Sequence, residues 1–201
     1  MATTTNYGWT TPDDTSLVKD GASAIRTLGS AIDTSLNTAL GTKKAGLVLL
    51  NTTTFSGVSS QSVNDVFSAT YESYRLVFNY SGTINTTARL KFRVAGADNS
   101  TNNYYTQTAT LSGTSVTASL DGATTTGILI GNHVGAPMLS SYDLGNVFAT
   151  QKTQITGMRA VDSNCELKNG VFDATTSFTG FTIIPASGNI TGSVSVYGYN
   201  K

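Results

Sequence analysis

The sequence predicts a mainly β protein: an N-terminal arm and one α-helix over residues 1–44, then an antiparallel, jelly-roll-like β-sandwich over 45–201, assembled as a trimer. Three observations carry this expectation. Short β-prone runs separated by turn residues follow one another from residue 47 onward. One helix-start signal, TPDD at 11–14, precedes them. After it, apolar residues return every seventh position at Val18, Ile25, Ile32 and Ala39, the spacing by which helices meet one another.

The bulk composition narrows the function classes. The chain has 201 residues, room for one good core or for an arm plus one β-domain. Twelve basic and 12 acidic residues cancel, so the basic footprint of a nucleic-acid binder is missing, as is a basic run for a membrane surface. No apolar run approaches the ~20 residues of a membrane helix. A basic and apolar leader is also lacking, so no signal peptide is expected. Thr, Ser, Gly and Asn are abundant, yet 39% of residues are hydrophobic and strand patterning is regular, which predicts folded β-structure with weakly charged surfaces.

In the first segment, Thr11 caps the predicted helix, Pro12 takes its first position, and Asp13 and Asp14 sit at the positive end of its dipole. Gly41 is the stop, with Lys43 and Lys44 beyond it. Val18, Ile25, Leu28, Ile32 and Leu36 form the stripe expected to drive oligomerisation. Two packings are open, a helix laid on its own β-domain or a short parallel bundle of three. Ahead of it, residues 2–9 read as an extended arm carrying Tyr7 and Trp9. These aromatics either fold back on the helix or dock into a neighbouring subunit as anchors.

Strands are predicted at 47–50, 62–67, 74–80, 88–95, 115–120, 127–130, 154–160, 166–172, 178–184 and 193–199. In Arg89-Leu90-Lys91-Phe92-Arg93-Val94 a basic face alternates with an apolar one. Asp121-Gly122 and Asn169-Gly170 carry the strongest short hairpin signals. Residues 131–152 read as a long exposed loop followed by an edge strand.

Catalytic residues are scarce. The chain has one histidine, His133, and one cysteine, Cys165, so neither a His-rich nor a Cys-rich metal site fits within one chain. No nucleophile elbow, P-loop or dinucleotide fingerprint occurs. Residues 98–103 are a polar turn without the glycine and bidentate glutamate of a calcium loop. A polysaccharide depolymerase needs paired acids in a groove. Glu72 and Glu166 are the only glutamates, and nothing in the sequence brings them together. The expectation is a protein that is not an enzyme and needs no cofactor or metal. Tyr104, Tyr105 and Tyr142, in segments that read as loops, are the candidates for stacking on sugar rings.

Two segments carry a resemblance. TTNYGWTTPDDTSLVKDGASAIRTLGSAID resembles the N-terminal segment of many structural proteins of tailed bacteriophages, including those of cyanobacteria. FTGFTIIPASGNITGSVSVYGYN resembles the last hairpin of a β-domain common in phage tail and fibre proteins, through Ser187, Gly188, Asn189, Gly192, Ser193, Tyr197, Gly198 and Tyr199. The middle of the chain, including ESYRLVFNYSG and ARLKFRVAG, fits the same style loosely. The resemblance implies a trimeric virion protein assembled in the host cytoplasm, its front segment attached to other virion proteins of tail or capsid. A short tail fibre or appendage engaged in host attachment, with host surface glycan as a partner, is the first reading. A capsid decoration protein is the alternative. Neither membrane nor nucleic acid is an expected partner.

Overall fold

The computed structural model describes residues 2–12, 15, 17–40, 46–124, 126–133, 137–161 and 164–200. The chain divides into two compact units, Met1–Ala45 and Gly46–Lys201.

In the first unit, β1 (Ala2–Thr3) pairs antiparallel with β2 (Thr10–Thr11), and α1 spans Val18–Leu40. The helix therefore begins later than TPDD predicted. Thr11 is held extended by its pairing with Ala2, and the residue before a proline is sterically pushed out of the helical region. Asp13, Asp14, Gly41, Lys43 and Lys44 lie outside the described residues. Asp20 supplies the acidic group of the first turn instead. The arm folds back on its own helix. Trp9 Nε1 donates to Ser35 Oγ at 2.9 Å, and the Tyr7 ring stacks on Trp9 at 5.0 Å. Tyr7 itself remains exposed.

Among the described residues, the regular elements of the second unit are all strands. Its large sheet has the strand order β3 (Leu47–Val58), β15 (Ile190–Tyr199), β5 (Ser73–Gly82), β11 (Met138–Gly145), β12 (Thr153–Val161), β13 (Asn164–Phe172), β8 (Tyr104–Ser112), β9 (Ser115–Thr124). Its small sheet runs β10 (Ile128–His133), β6 (Thr86–Val94), β14 (Gly180–Pro185), β4 (Gln61–Val63), with β7 (Ala97–Asp98) on β6. Every pairing in both sheets is antiparallel.

The sheets face each other across one aromatic core. Phe92 of β6 meets Tyr104 of β8 at 6.1 Å and Phe172 of β13 at 6.4 Å, and Phe78 of β5 meets Phe181 of β14 at 6.3 Å. Alternation explains which residues turn inward. On β5, Tyr74, Leu76, Phe78 and Tyr80 are buried while Arg75, Val77 and Asn79 face outward. The Arg89-to-Val94 alternation runs as the sequence suggests as far as Arg93, with Leu90 and Phe92 buried and the basic residues partly exposed, whereas Val94 at the strand end is exposed.

Several expectations fail for identifiable reasons. Tyr104 and Tyr142 are not loop residues but fully buried members of β8 and β11. Each phenol oxygen finds a carbonyl, Tyr104 on Asn99 and Tyr142 on Ile130, which lets a large polar ring enter the core. Asp121-Gly122 and Asn169-Gly170 lie inside strands, not at hairpin tips. Gly170 is small because a Cβ there would strike Ile155 Cγ2 at 2.7 Å. Residues 138–145 form a central strand, since Tyr142 and its alternate neighbours pack in the core. The turn at Ser187-Gly188-Asn189 joins strands of different sheets, so it is a crossing between layers and not a hairpin.

Candidate functional site

The outer face of the large sheet carries concave surface. Pairing fixes which side chains share it. One register row crosses all eight strands: Leu49, Tyr197, Arg75, Asp143, Thr156, Asn169, Gln107 and Leu120. On one side lies a row of Ser195, Val77, Ser141, Met158, Leu167, Ala109 and Ala118. Beyond it, Leu139, Ala160, Cys165, Leu111 and Val116 form a third row, apolar from β11 to β9 and continued by the polar Asn79 and Ser193 on β5 and β15. On the opposite side run Ser73, Gly145, Gln154, Val171 and Tyr105.

The face is thus divided along its length, polar amide and carboxylate groups in one half, aliphatic groups in the other. Small side chains at Ser141, Ala109 and Ala118 lie between longer ones at Met158, Leu167 and Leu120. The resulting trough encloses about 970 Å³, with smaller hollows of about 520 and 490 Å³ opening along the polar rows.

One end of the polar row is held firmly. Arg75 donates through Nε and Nη2 to the two oxygens of Asp143, at 2.8 and 2.6 Å. Tyr199 donates its hydroxyl to Asp143 Oδ1 at 2.6 Å, and the Arg75 guanidinium lies 5.7 Å from the centre of the Tyr199 ring. The hydrogen bond from Arg75 holds the Asp143 carboxyl below its usual range, and the Tyr199 bond acts in the same direction. At the other end, Lys152 pairs with Asp173 beside Tyr105.

A second polar cluster is internal. Glu166 takes Arg159 Nη2 at 2.7 Å and Lys168 Nζ at 2.8 Å, and Lys168 also donates to Thr108 at 3.1 Å. Burial alone would raise the Glu166 carboxyl, but the flanking Lys168 and Arg159 more than offset it and hold it low. Burial depresses the Lys168 ammonium, and its bond to Glu166 recovers only part of that. Gly131 lies against Arg159, leaving no room for a Cβ, so the small sheet closes over this cluster. Its enclosure suits a structural role in orienting β12 and β13.

Of the residues singled out in the sequence, Tyr105 alone among the three candidate tyrosines points to the outer face, at the end of the trough. Tyr104 and Tyr142 are behind it in the core and cannot stack on a ligand. Cys165 sits in the outer apolar row of the large sheet, whereas His133 ends β10 of the small sheet. Glu72 lies at the surface before β5, and Glu166 is in the internal cluster. On α1, Val18, Ile25 and Leu36 are exposed, at 96%, 65% and 51%, while Leu28 and Ile32 are half-buried. Arg75, Asp143, Asn169, Gln107 and Gln154 were not legible as a group. Each is visible as a polar residue out of phase with core neighbours, but their alignment depends on register between strands distant in sequence. Among the described residues no helix is long and apolar enough to cross a membrane. No protein-family model, curated protein or solved structure matches the chain.

Proposed function

We propose that the chain is a non-enzymatic structural protein of a tailed-phage virion, a short tail fibre or appendage engaged in host attachment. It is a homotrimer in which α1 and the arm form the assembly and attachment unit and a jelly-roll-like sandwich projects. The observation that carries this reading is the exposed stripe of α1. A 23-residue helix that leaves Val18, Ile25 and Leu36 in solvent has apolar surface suited to packing on other copies. The phage-like character of both end segments supplies the setting. The large sheet supports assembly too, with long edge strands at β3 and β9, features that oligomers cover.

The alternative, a capsid decoration protein, is favoured by one observation: among the described residues the helix is followed directly by one sandwich.

Light scattering on the full chain tests the assembly. The expected mass is that of three chains, and Ile25→Asp with Ile32→Asp should reduce it to one. A wild-type monomer at micromolar concentration would overturn the trimer. Labelled antibody on intact particles then separates tail from head.

A further inference from the structure

We propose that the trough on the outer face of the large sheet binds a neutral, linear oligosaccharide. This goes beyond assembly through α1 and does not depend on it.

The chemistry of the polar row sets the ligand class. Asn169 and Gln107 present planar amides, each suited to meeting two adjacent hydroxyls at once, beside the joined Arg75 and Asp143. Asp143 engages Nε and Nη2 of Arg75, so Nη1 is the nitrogen offered to a ligand. The row carries one cation and one anion, joined to each other, and the rim ion pair of Lys152 and Asp173 likewise cancels. Nothing in this arrangement rewards a charged ligand, whereas an uncharged polyol satisfies it.

The geometry sets the ligand's shape. Strands lie ~4.8 Å apart, so the four steps from β5 to β8 place polar groups along about 19 Å. That spacing is close to the repeat of sugar rings in an extended chain. The trough is also two-sided. Met158 and Leu167 line the aliphatic flank, against which the C–H faces of sugar rings pack while their hydroxyl edges turn to the amides. The site is prearranged: Tyr199 and Arg75 hold Asp143 in place before any ligand arrives, which lowers the ordering cost of binding.

The test is calorimetric titration of the full-length protein with maltohexaose, cellohexaose, laminarihexaose, xylohexaose and chitohexaose in turn. The expected result is saturable binding of at least one, one ligand per chain, with a Kd insensitive to added salt. Asn169→Ala combined with Gln107→Ala should weaken it roughly tenfold or more, since each change removes hydrogen bonds to the ligand. Both residues are exposed, so thermal stability should hold; Thr54→Ala on β3, outside the trough, should bind as wild type. Four results would overturn the proposal. They are failure of all five sugars to bind, binding that survives the double substitution, salt-dependent binding of a heparin hexasaccharide alone, and occupation of the trough by a second copy, read as self-association that the double substitution abolishes. Failure of trimer assembly would leave a positive titration standing, and the reverse holds as well.

Discussion

Asp143 shows how one residue's protonation is written into stability. Its carboxyl is held low by Arg75 and Tyr199, so the folded chain binds its proton less readily than the unfolded chain does. The contribution of the pair is therefore fully present above the ordinary aspartate value near ~4 and is lost as the pH falls through the lower folded value. The melting temperature of the wild type minus that of Asp143→Asn should be constant at neutral pH and shrink below pH ~4. A difference that instead grows on acidification would contradict the arrangement. Glu166 offers a harsher case. Replacing it with Ala leaves Arg159 and Lys168 facing each other in the interior, and such removal of one partner typically costs about 3–5 kcal/mol. Chemical denaturation of Glu166→Ala measures this loss directly. Truncating Phe92 to Ala, which removes ring contacts to Tyr104, Phe172 and Phe178, should cost a comparable ~3–5 kcal/mol in the same experiment.

At the scale of elements, alternation was the legible signal and register was not. The run RLVFNY on β5 declares its inward residues through period two, and the structure buries Leu76, Phe78 and Tyr80 as that pattern requires. Strand β8 was missed because YYTQTATLS places Thr106 and Thr108 in inward positions, which reads as polar in sequence. Thr106 accepts a bond from the Leu129 amide, and Thr108 accepts one from Lys168, so both hydroxyls are satisfied between the sheets. The Asn-Gly and Asp-Gly pairs misled because glycine there serves close packing or an outer strand and not a tight turn. The trough was illegible for a related reason. Arg75 and Asp143 stand 68 residues apart, and only the pairing of β5 with β11 makes them neighbours. The helix start was displaced by a competing pairing, since Thr11 was claimed by the β1–β2 ladder. Strand β9 carries a separate expectation. Its residues are exposed on both faces apart from Asp121 and Thr124, which are partly covered, and Val116 is 70% exposed. Val116→Lys should slow heat-induced aggregation while leaving the melting temperature within about 0.5 kcal/mol equivalent of wild type, because a charge on an edge blocks strand addition.

The whole molecule joins an apolar-striped helical unit to a sandwich whose large sheet presents a divided outer face. Each unit has its own proposed task, assembly for the first and ligand capture for the second. Multivalency would connect them: three sandwiches on one trimer would hold a surface far longer than one, because rebinding becomes intramolecular. The release rate from a surface coated with whichever hexasaccharide binds should therefore fall well below that of the Ile25→Asp, Ile32→Asp protein, though both share one intrinsic Kd. Equal release rates would separate the two tasks.

The position of β15 has a consequence for how the chain is made. Strands β3 and β5 are synthesised early, yet β15, at Ile190–Tyr199, lies between them and pairs with both. A ribosome that has delivered everything up to residue 189 holds a large sheet with a gap where its second strand belongs, and β3 has nothing to join. Premature termination or proteolytic clipping ahead of that strand should thus yield not a shortened sandwich but an unfinished one, recognised by quality-control proteases. Because the closing contacts span more than half the chain, completion of the sheet is also the step expected to set the folding rate.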